Sequence, residues 1–273
     1  MINLTPYFKF KKKTFMELKN FLENIYKKYN RKKYIDPDPL MFLYDYPDSK
    51  DREIVALIAS SFAYGRVNKI IETVHFILKG MNYNPYEFIK NSSRKSLEDK
   101  FENFVYRFTN QNELVEFILA IKDKIDKFNT IKEFFKKQFI MNDKKVLPSL
   151  ECFVTELGYH SRGVKSLLSL PSKKSACKRL FLFLRWMVRK DRVDPGGWNF
   201  VDRSKLIIPL DTHMYRISKL LGFTERKQAN LKTAVQITDK FKRINEKDPV
   251  KYDFALTRYG IRDELEIAQL EFH

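Results

Sequence analysis

Apolar residues recur at three- and four-residue spacing along most of the chain, and strict alternation is sustained nowhere. That period stacks side chains on one face of a helix. Phe15, Leu18, Phe21, Leu22 and Ile25 form one such stripe, followed by a proline-rich break at Asp36-Pro37-Asp38-Pro39. Pro47-Asp48-Ser49-Lys50-Asp51 is a start signal with Asp48 or Ser49 as cap. The run from Ile54 to Ala63 is apolar nearly all round, which predicts a central buried helix. Gly65 is expected to end it, and Val67 to Leu78 to start the next. Phe101–Phe108, Leu114–Ile125 and Ile131–Phe139 are predicted as amphipathic helices, and the polar stretches Asn91–Lys100 and Asn142–Lys145 as loops or helix ends. There is no internal repeat, low-complexity segment or linker. The expected fold is all-α, one unit of two interleaved helical lobes over residues 1–273.

Charge changes this picture. Lys+Arg exceed Asp+Glu by 52 to 34, a net charge of +18. Such an excess favours a polyanion, nucleic acid first and an anionic membrane surface second. A generally lysine-rich surface is the alternative reading. No run approaches the ~18 apolar residues of a membrane span, and no basic amphipathic helix stands apart from the core pattern, which weakens the membrane option. The beginning of the sequence lacks the apolar core of a secretory signal. With only Cys152 and Cys177, neither a disulfide framework nor a cysteine-rich metal cluster can be assembled. A cytoplasmic monomer without metal or cofactor is the expectation.

Two segments carry candidate chemistry. Residues 170–190 are expected to hold a largely buried helix capped by Ser172 and running to about Lys190. Lys174, Lys178, Arg185 and Arg189 lie on it at spacings that bring them within a sector of about 60°. Buried cations need anions. Phosphates would serve, as would carboxylates such as Asp191, Asp194 or Asp211; a solvated stripe is the bland alternative. A lysine in apolar surroundings can serve as a nucleophile. Asp194-Pro195-Gly196-Gly197 reads as a turn, after which Trp198 either stacks on a base or fills the core.

The second segment is Ile207-Ile208-Pro209-Leu210-Asp211-Thr212-His213-Met214-Tyr215-Arg216. Its aspartate stands where a helix begins, so it can cap that helix. In a cleft the same carboxylate can act as a base or stabilise a developing cation. His213 has no ligands at metal spacing, and a local hydrogen bond is its expected role. The helix is expected to reach Leu221 and stop at Gly222.

Leu170-Pro171 at a hairpin, a lysine-bearing helix, and the Asp211-Thr212-His213-Met214-Tyr215-Arg216 segment together resemble the helix–hairpin–helix DNA glycosylases, the endonuclease III superfamily. Leu57 to Lys69 looks like that fold's early helix and turn, and Phe254 to Gly260 like its late helix, so the resemblance spans about Arg52 to Gly260. Residues 176–191 are also similar to a bacterial family of unknown function. The resemblance implies that Asp211 is the catalytic aspartate. The hairpin is degenerate: Ser172-Lys173-Lys174 replaces the family's glycine-containing turn. The family's lysine position falls on Ala176, and Ser61 stands where the early helix usually has Gln. The longer distance to Asp211 is similar to the archaeal 8-oxoguanine glycosylase branch, which makes Lys178 the candidate lysine. The iron–sulfur cysteines are absent.

The resemblance therefore implies excision of a damaged base flipped out of a DNA duplex, with RNA as another possible polymer. Lys178 would attack C1′, giving lyase activity, or Asp211 would direct a water. Lys173, Lys174, Arg185, Arg189 and Arg216 would hold phosphates. Phe62, Tyr64, Trp198 and His213 would line the base pocket. The alternative from another class is a non-catalytic nucleic-acid-binding protein on the same scaffold.

Overall fold

The computed structural model describes residues 14–139 and 145–261. The segment read for a secretory signal lies outside them, and of Asn142–Lys145 only Lys145 is described. The described chain is predominantly helical. In order it forms α1 (Phe15–Tyr29), α2 (Ser49–Ser61), α3 (Val67–Gly80), α4 (Pro85–Asn91), α5 (Arg94–Lys100), α6 (Gln111–Phe128), α7 (Ile131–Gln138), α8 (Leu147–Gly158), α9 (Arg162–Leu167), α10 (Lys178–Val188), α11 (Thr212–Leu220), α12 (Leu231–Ile244) and α13 (Asp253–Ile261).

Local chemistry sets the ends of these helices. Thr14 and Glu17 form a reciprocal capping box at α1. Asp48 caps α2 through the Lys50 N–H at 2.6 Å. Helix α2 has no polar face: every residue from Glu53 to Ser61 is buried. It lies at the centre, against α10, α4, α7 and the 3-10 segment Pro39–Asp45. The buried apolar side chains form one connected core. Helices α6 and α9 approach so closely that a Cβ on Gly163 would meet the Glu113 carbonyl oxygen at 2.4 Å. Only glycine fits there, and this contact fixes the start of the α9–α10 hairpin.

Two expectations change. Phe101–Phe108 is not a helix. Asn103 and Arg107 have φ of 60° and 52°, and the chain makes a small antiparallel hairpin, β1 (Val105–Tyr106) with β2 (Thr109–Asn110). Left-handed turn residues override the helical period. Of Asn91–Lys100, expected as a loop or helix end, Asn91 does end α4, but Ser93 and Ser96 then close a capping box that starts α5 despite its mixed charge.

Candidate active site

Asp211 is placed by what precedes it. Leu206, Ile207, Ile208 and Leu210 are buried as an extended strap, pinned where the Ile208 N–H donates to Thr238 Oγ1 at 3.0 Å. Pro209 has no N–H to leave unpaired there. The chain then enters α11 with Asp211 as N-cap, its Oδ1 accepting from the Met214 N–H at 2.8 Å. The helix ends as the glycine predicts: Gly222 has φ +68°, and the Phe223 and Gly222 N–H groups return to Ser218 and Lys219.

Lys178 is the first residue of α10. Ser172 is not its cap. Pro171–Lys173 is a separate 3-10 turn, Ser172 binds Glu151, and the chain enters α10 through Cys177 at φ +48°. Lys174, also left-handed at φ +62°, adopts without glycine a backbone shape that glycine would take freely. It is exposed on the hairpin and does not belong to the α10 stripe.

The Lys178 ammonium donates to the Ala63 carbonyl at 3.3 Å, just beyond the end of α2. Arg179 donates to the Ser61 and Ser166 carbonyls and lies 5.1 Å over the Tyr64 ring. Both cations thus meet carbonyls that α2 and α9 cannot satisfy internally. Burial lowers the Arg179 pKa from its ordinary value, and Tyr64 partly offsets this.

Lys178 Nζ stands 4.0 Å from Asp211 Oδ2, with the side chains 32% and 24% exposed. Both open into one cavity of about 710 Å³, a size usual for small-molecule sites. Four segments complete its wall: the Asp36–Pro39 stretch, the turn at Ala63–Val67, one face of α10 and one face of α13. The α10 face comprises Lys178, Leu182, Arg185 and Trp186, a four-, seven- and eight-residue helical spacing. A smaller cavity of about 210 Å³, containing Tyr64, Cys177 and Arg179, lies on the other side of Ala63 and Lys178.

Arg185 and Arg189 correct the phosphate expectation. Both are buried and bound by carboxylates. Arg185 pairs with Asp194 at 3.2 Å and with Asp253. Arg189 pairs with Asp191 at 2.9 Å, Asp248 at 3.1 Å and Asp194. Burial alone would depress both guanidinium pKa values, but the surrounding carboxylates outweigh it and raise them. Burial raises Asp191 as well, yet Arg189 and two backbone donors carry it below its ordinary value. Asp253 moves the other way: burial, with Asp211 and Asp194 nearby, holds it at about 6 despite Arg185. Asp211 is not a partner of either arginine, and Arg189 does not line the cavity.

The proposed base-pocket aromatics divide similarly. Phe62 and Trp198 are fully buried and cannot stack on a base without opening the core. Phe62 packs edge-on against Phe104 and Tyr106. Trp198 sits among Phe135, Phe183 and Phe200 and donates to Glu53 at 3.1 Å. Tyr64 is half-buried, shares a hydroxyl hydrogen bond with Thr109 at 2.9 Å, and faces the smaller cavity. His213 is exposed and does line the main cavity. Lys173 and Arg216 are exposed outside it.

Sequence reasoning missed Trp186, Asp253 and Arg258 in the cavity wall. Trp186 was legible once Lys178 was chosen, eight positions along the same face. Asp253 and Arg258 carried no local signal, because tertiary packing brings α13 here. Among the described residues no cluster of His, Cys, Asp and Glu could hold a metal ion, and no helix is long and apolar enough to cross a membrane.

A family profile described as "Protein of unknown function (DUF2400)" matches residues 38–262. No curated protein and no solved structure matches the chain.

Proposed function

The chain belongs to the DUF2400 family, whose description assigns no activity, and we propose that it is a DNA N-glycosylase with associated lyase activity, acting on a damaged base flipped from a duplex. The carrying observation is the approach of Lys178 and Asp211 to 4.0 Å on the wall of one solvent-reaching cavity. The reading rests on a two-lobed, glycosylase-like arrangement and a degenerate hairpin. It places a monomer in the cytoplasm. Lys173 and Lys174 on the hairpin and Arg216 on α11 are exposed for phosphate contacts.

In this mechanism Asp211 accepts a proton from the Lys178 ammonium, after a side-chain shift of about 1 Å to hydrogen-bond distance. The freed amine attacks C1′. The glycosidic C–N bond breaks, and its electron pair leaves with the base, which takes up a proton. The C1′–O4′ bond then breaks, O4′ takes the proton held by Asp211, and the nitrogen lone pair closes a protonated Schiff base between C1′ and Lys178. Asp211 also stabilises positive charge developing on the sugar.

Borohydride trapping on duplexes carrying an oxidised base or an abasic site tests this. A covalent adduct is expected with the wild type and none with Lys178→Ala. An adduct that persists in Lys178→Ala sinks the lysine assignment. Base release without any adduct, abolished by Asp211→Asn, would assign the reaction to a water directed by Asp211.

A non-catalytic nucleic-acid-binding protein is the second reading. It is favoured by the structural bonds of the same two residues, Asp211 to the Met214 N–H and Lys178 to the Ala63 carbonyl. Both readings imply steep salt dependence of DNA binding. Absence of base release from every duplex would select the second.

A further inference from the structure

The buried ion-pair cluster at the C-terminal end of α10 holds more carboxylates than cations. Arg185 and Arg189 are shared by Asp191, Asp194, Asp248 and Asp253, and the exposed Arg203 adds only an approach of 3.9 Å to Asp248. Such an excess of buried negative charge is relieved when one carboxyl keeps its proton. The hydrogen bonds single out which one. Both oxygens of Asp194 accept, one from each arginine. Both oxygens of Asp248 accept from Arg189 Nε at 3.1 Å. Asp191 accepts through Oδ1 from the Val193 and Asp194 N–H groups, and through Oδ2 from Tyr26 and Arg189. Asp253 accepts from Arg185 through Oδ2, and among the described residues nothing donates to its Oδ1.

That oxygen is also within reach of a ligand. Asp253 lines the cavity that holds Lys178 and Asp211. It is 3% exposed, and its Oδ1 is not closed off from water as the unpartnered Trp186 Nε1 and Arg258 Nε are. Helix α10 sets the direction. Lys178, Leu182 and Arg185 share the face that lines the cavity, with about 10 Å of helix between the first and the last. A nucleotide whose C1′ stands at Lys178 lays its base over Leu182, toward the Asp253 that Arg185 holds.

The geometry points to Asp253 as the general acid of this cavity, whose Oδ1–H gives a proton to a ring nitrogen or carbonyl oxygen of the departing base. This deepens the glycosylase reading and rests on it for the reaction. The Oδ1–H bond breaks together with the glycosidic C–N bond. The electron pair of the C–N bond leaves on the base, and the pair left on Oδ1 makes Asp253 a carboxylate, already faced by Arg185. The attacking nitrogen sheds its surplus proton to solvent before the Schiff base closes, and Asp253 recovers one from solvent. Asp211 therefore carries the lysine proton to O4′, and Asp253 supplies the proton of the base.

The charged surroundings suit that role. Burial favours the neutral acid, Arg185 of α10 opposes it, and Asp211 at the start of α11 and Asp194 of the turn after α10 favour it again; the balance lies at about 6. On the same helix as Asp253, Arg258 is turned to Asp38 instead. An acid that titrates near the working pH both holds and releases its proton readily.

The test rests on an abasic site having no base to protonate. Single-turnover base release by the intact protein from duplexes carrying 8-oxoguanine or thymine glycol is measured beside borohydride trapping on an abasic duplex. Asp253→Asn is expected to slow base release about a hundredfold or more and to leave the abasic adduct unchanged. In the wild type the ratio of base release to abasic trapping, in which the shared lysine cancels, is expected to fall about tenfold per pH unit above about 6.

Base release by Asp253→Asn at the wild-type rate overturns the inference and keeps the glycosylase. A substitution that also abolishes the abasic adduct has disturbed the fold, and the wild-type ratio then decides: a flat ratio overturns the inference and a falling one supports it. No base release by the wild type from either duplex removes the glycosylase reading and the general acid together.

Discussion

The two ends of α10 carry the same kind of residue and use it differently. At the C-terminal end Arg185 and Arg189 are buried against four aspartates. At the N-terminal end Lys178 and Arg179 meet backbone carbonyls, and the one nearby carboxylate, Asp211, stands at 4.0 Å from Lys178 and faces a cavity. A buried ion pair whose geometry is complete leaves nothing for a ligand. A partly exposed cation with an incomplete partner leaves room for chemistry. The lesson is that a cationic stripe is not one functional unit; the density of carboxylates around each residue divides it.

The sharpest way to break the comparison is at the paired end. Arg189→Met removes the guanidinium that Asp194, Asp191 and Asp248 share, leaving Asp194 with Arg185 alone, and a loss of about 3–5 kcal/mol is expected. Urea unfolding measures it. A loss below about 1 kcal/mol would mean that the network is no more structural than a surface pair.

A buried carboxylate without any guanidinium sharpens the same contrast. Glu53 accepts from Trp198 Nε1 and the Lys132 N–H, and burial pushes its pKa from 4.5 up to about 7. Between those values the folded chain holds a proton that the unfolded chain has released. This contribution to stability is full below about pH 4.5, declines by roughly 3 kcal/mol on rising to pH 7, and is flat above. The slope should be much reduced in Glu53→Gln, read from urea midpoints across that range. Asp191, held low by Arg189, contributes with the opposite sign in the acid range: its stabilisation is lost as pH falls below its unfolded value.

At the open end the effects on stability should be small and those on activity large. Asp211→Ala removes the α11 cap and should cost about 1 kcal/mol, whereas Asp211→Asn, an equally good cap, should cost only a few tenths. Base release should vanish in both. Activity retained by Asp211→Asn would show that the residue serves only as a cap. Smallest of all on stability is Lys178→Ala, with a change of about 0.5 kcal/mol expected, while the trapped adduct disappears entirely. A loss of several kcal/mol would place Lys178 with Arg189 on the structural side.

Much of the scaffold was legible because its information is local. The stripe from Phe15, the Asp48 cap, the all-round apolar α2 and the Asp211 cap are all set by period and by side chains within a few positions. The hairpin at Val105–Asn110 was not, since its turns use Asn103 and Arg107 at positive φ where no glycine announces them. The cavity was half legible. Lys178 and Asp211 came from motif and spacing, but Phe62 and Trp198 were assigned to a pocket that they never reach, because an aromatic reads alike in core and cleft.

By itself, then, the sequence determined a helical chain and the start of α11, through periodicity and capping that act over one or two turns, while Lys178 and Asp211 were candidates from the motif and the glycosylase resemblance. Only the tertiary structure decided which cations are neutralised, because Asp248 and Asp253 lie more than fifty residues from the arginines they hold. It also decided that Trp186 Nε1 and Arg258 Nε are buried without a hydrogen-bond partner among the described residues. Whether a buried group is satisfied depends on what packing brings within about 3 Å, and the order of residues along one helix does not contain that distance.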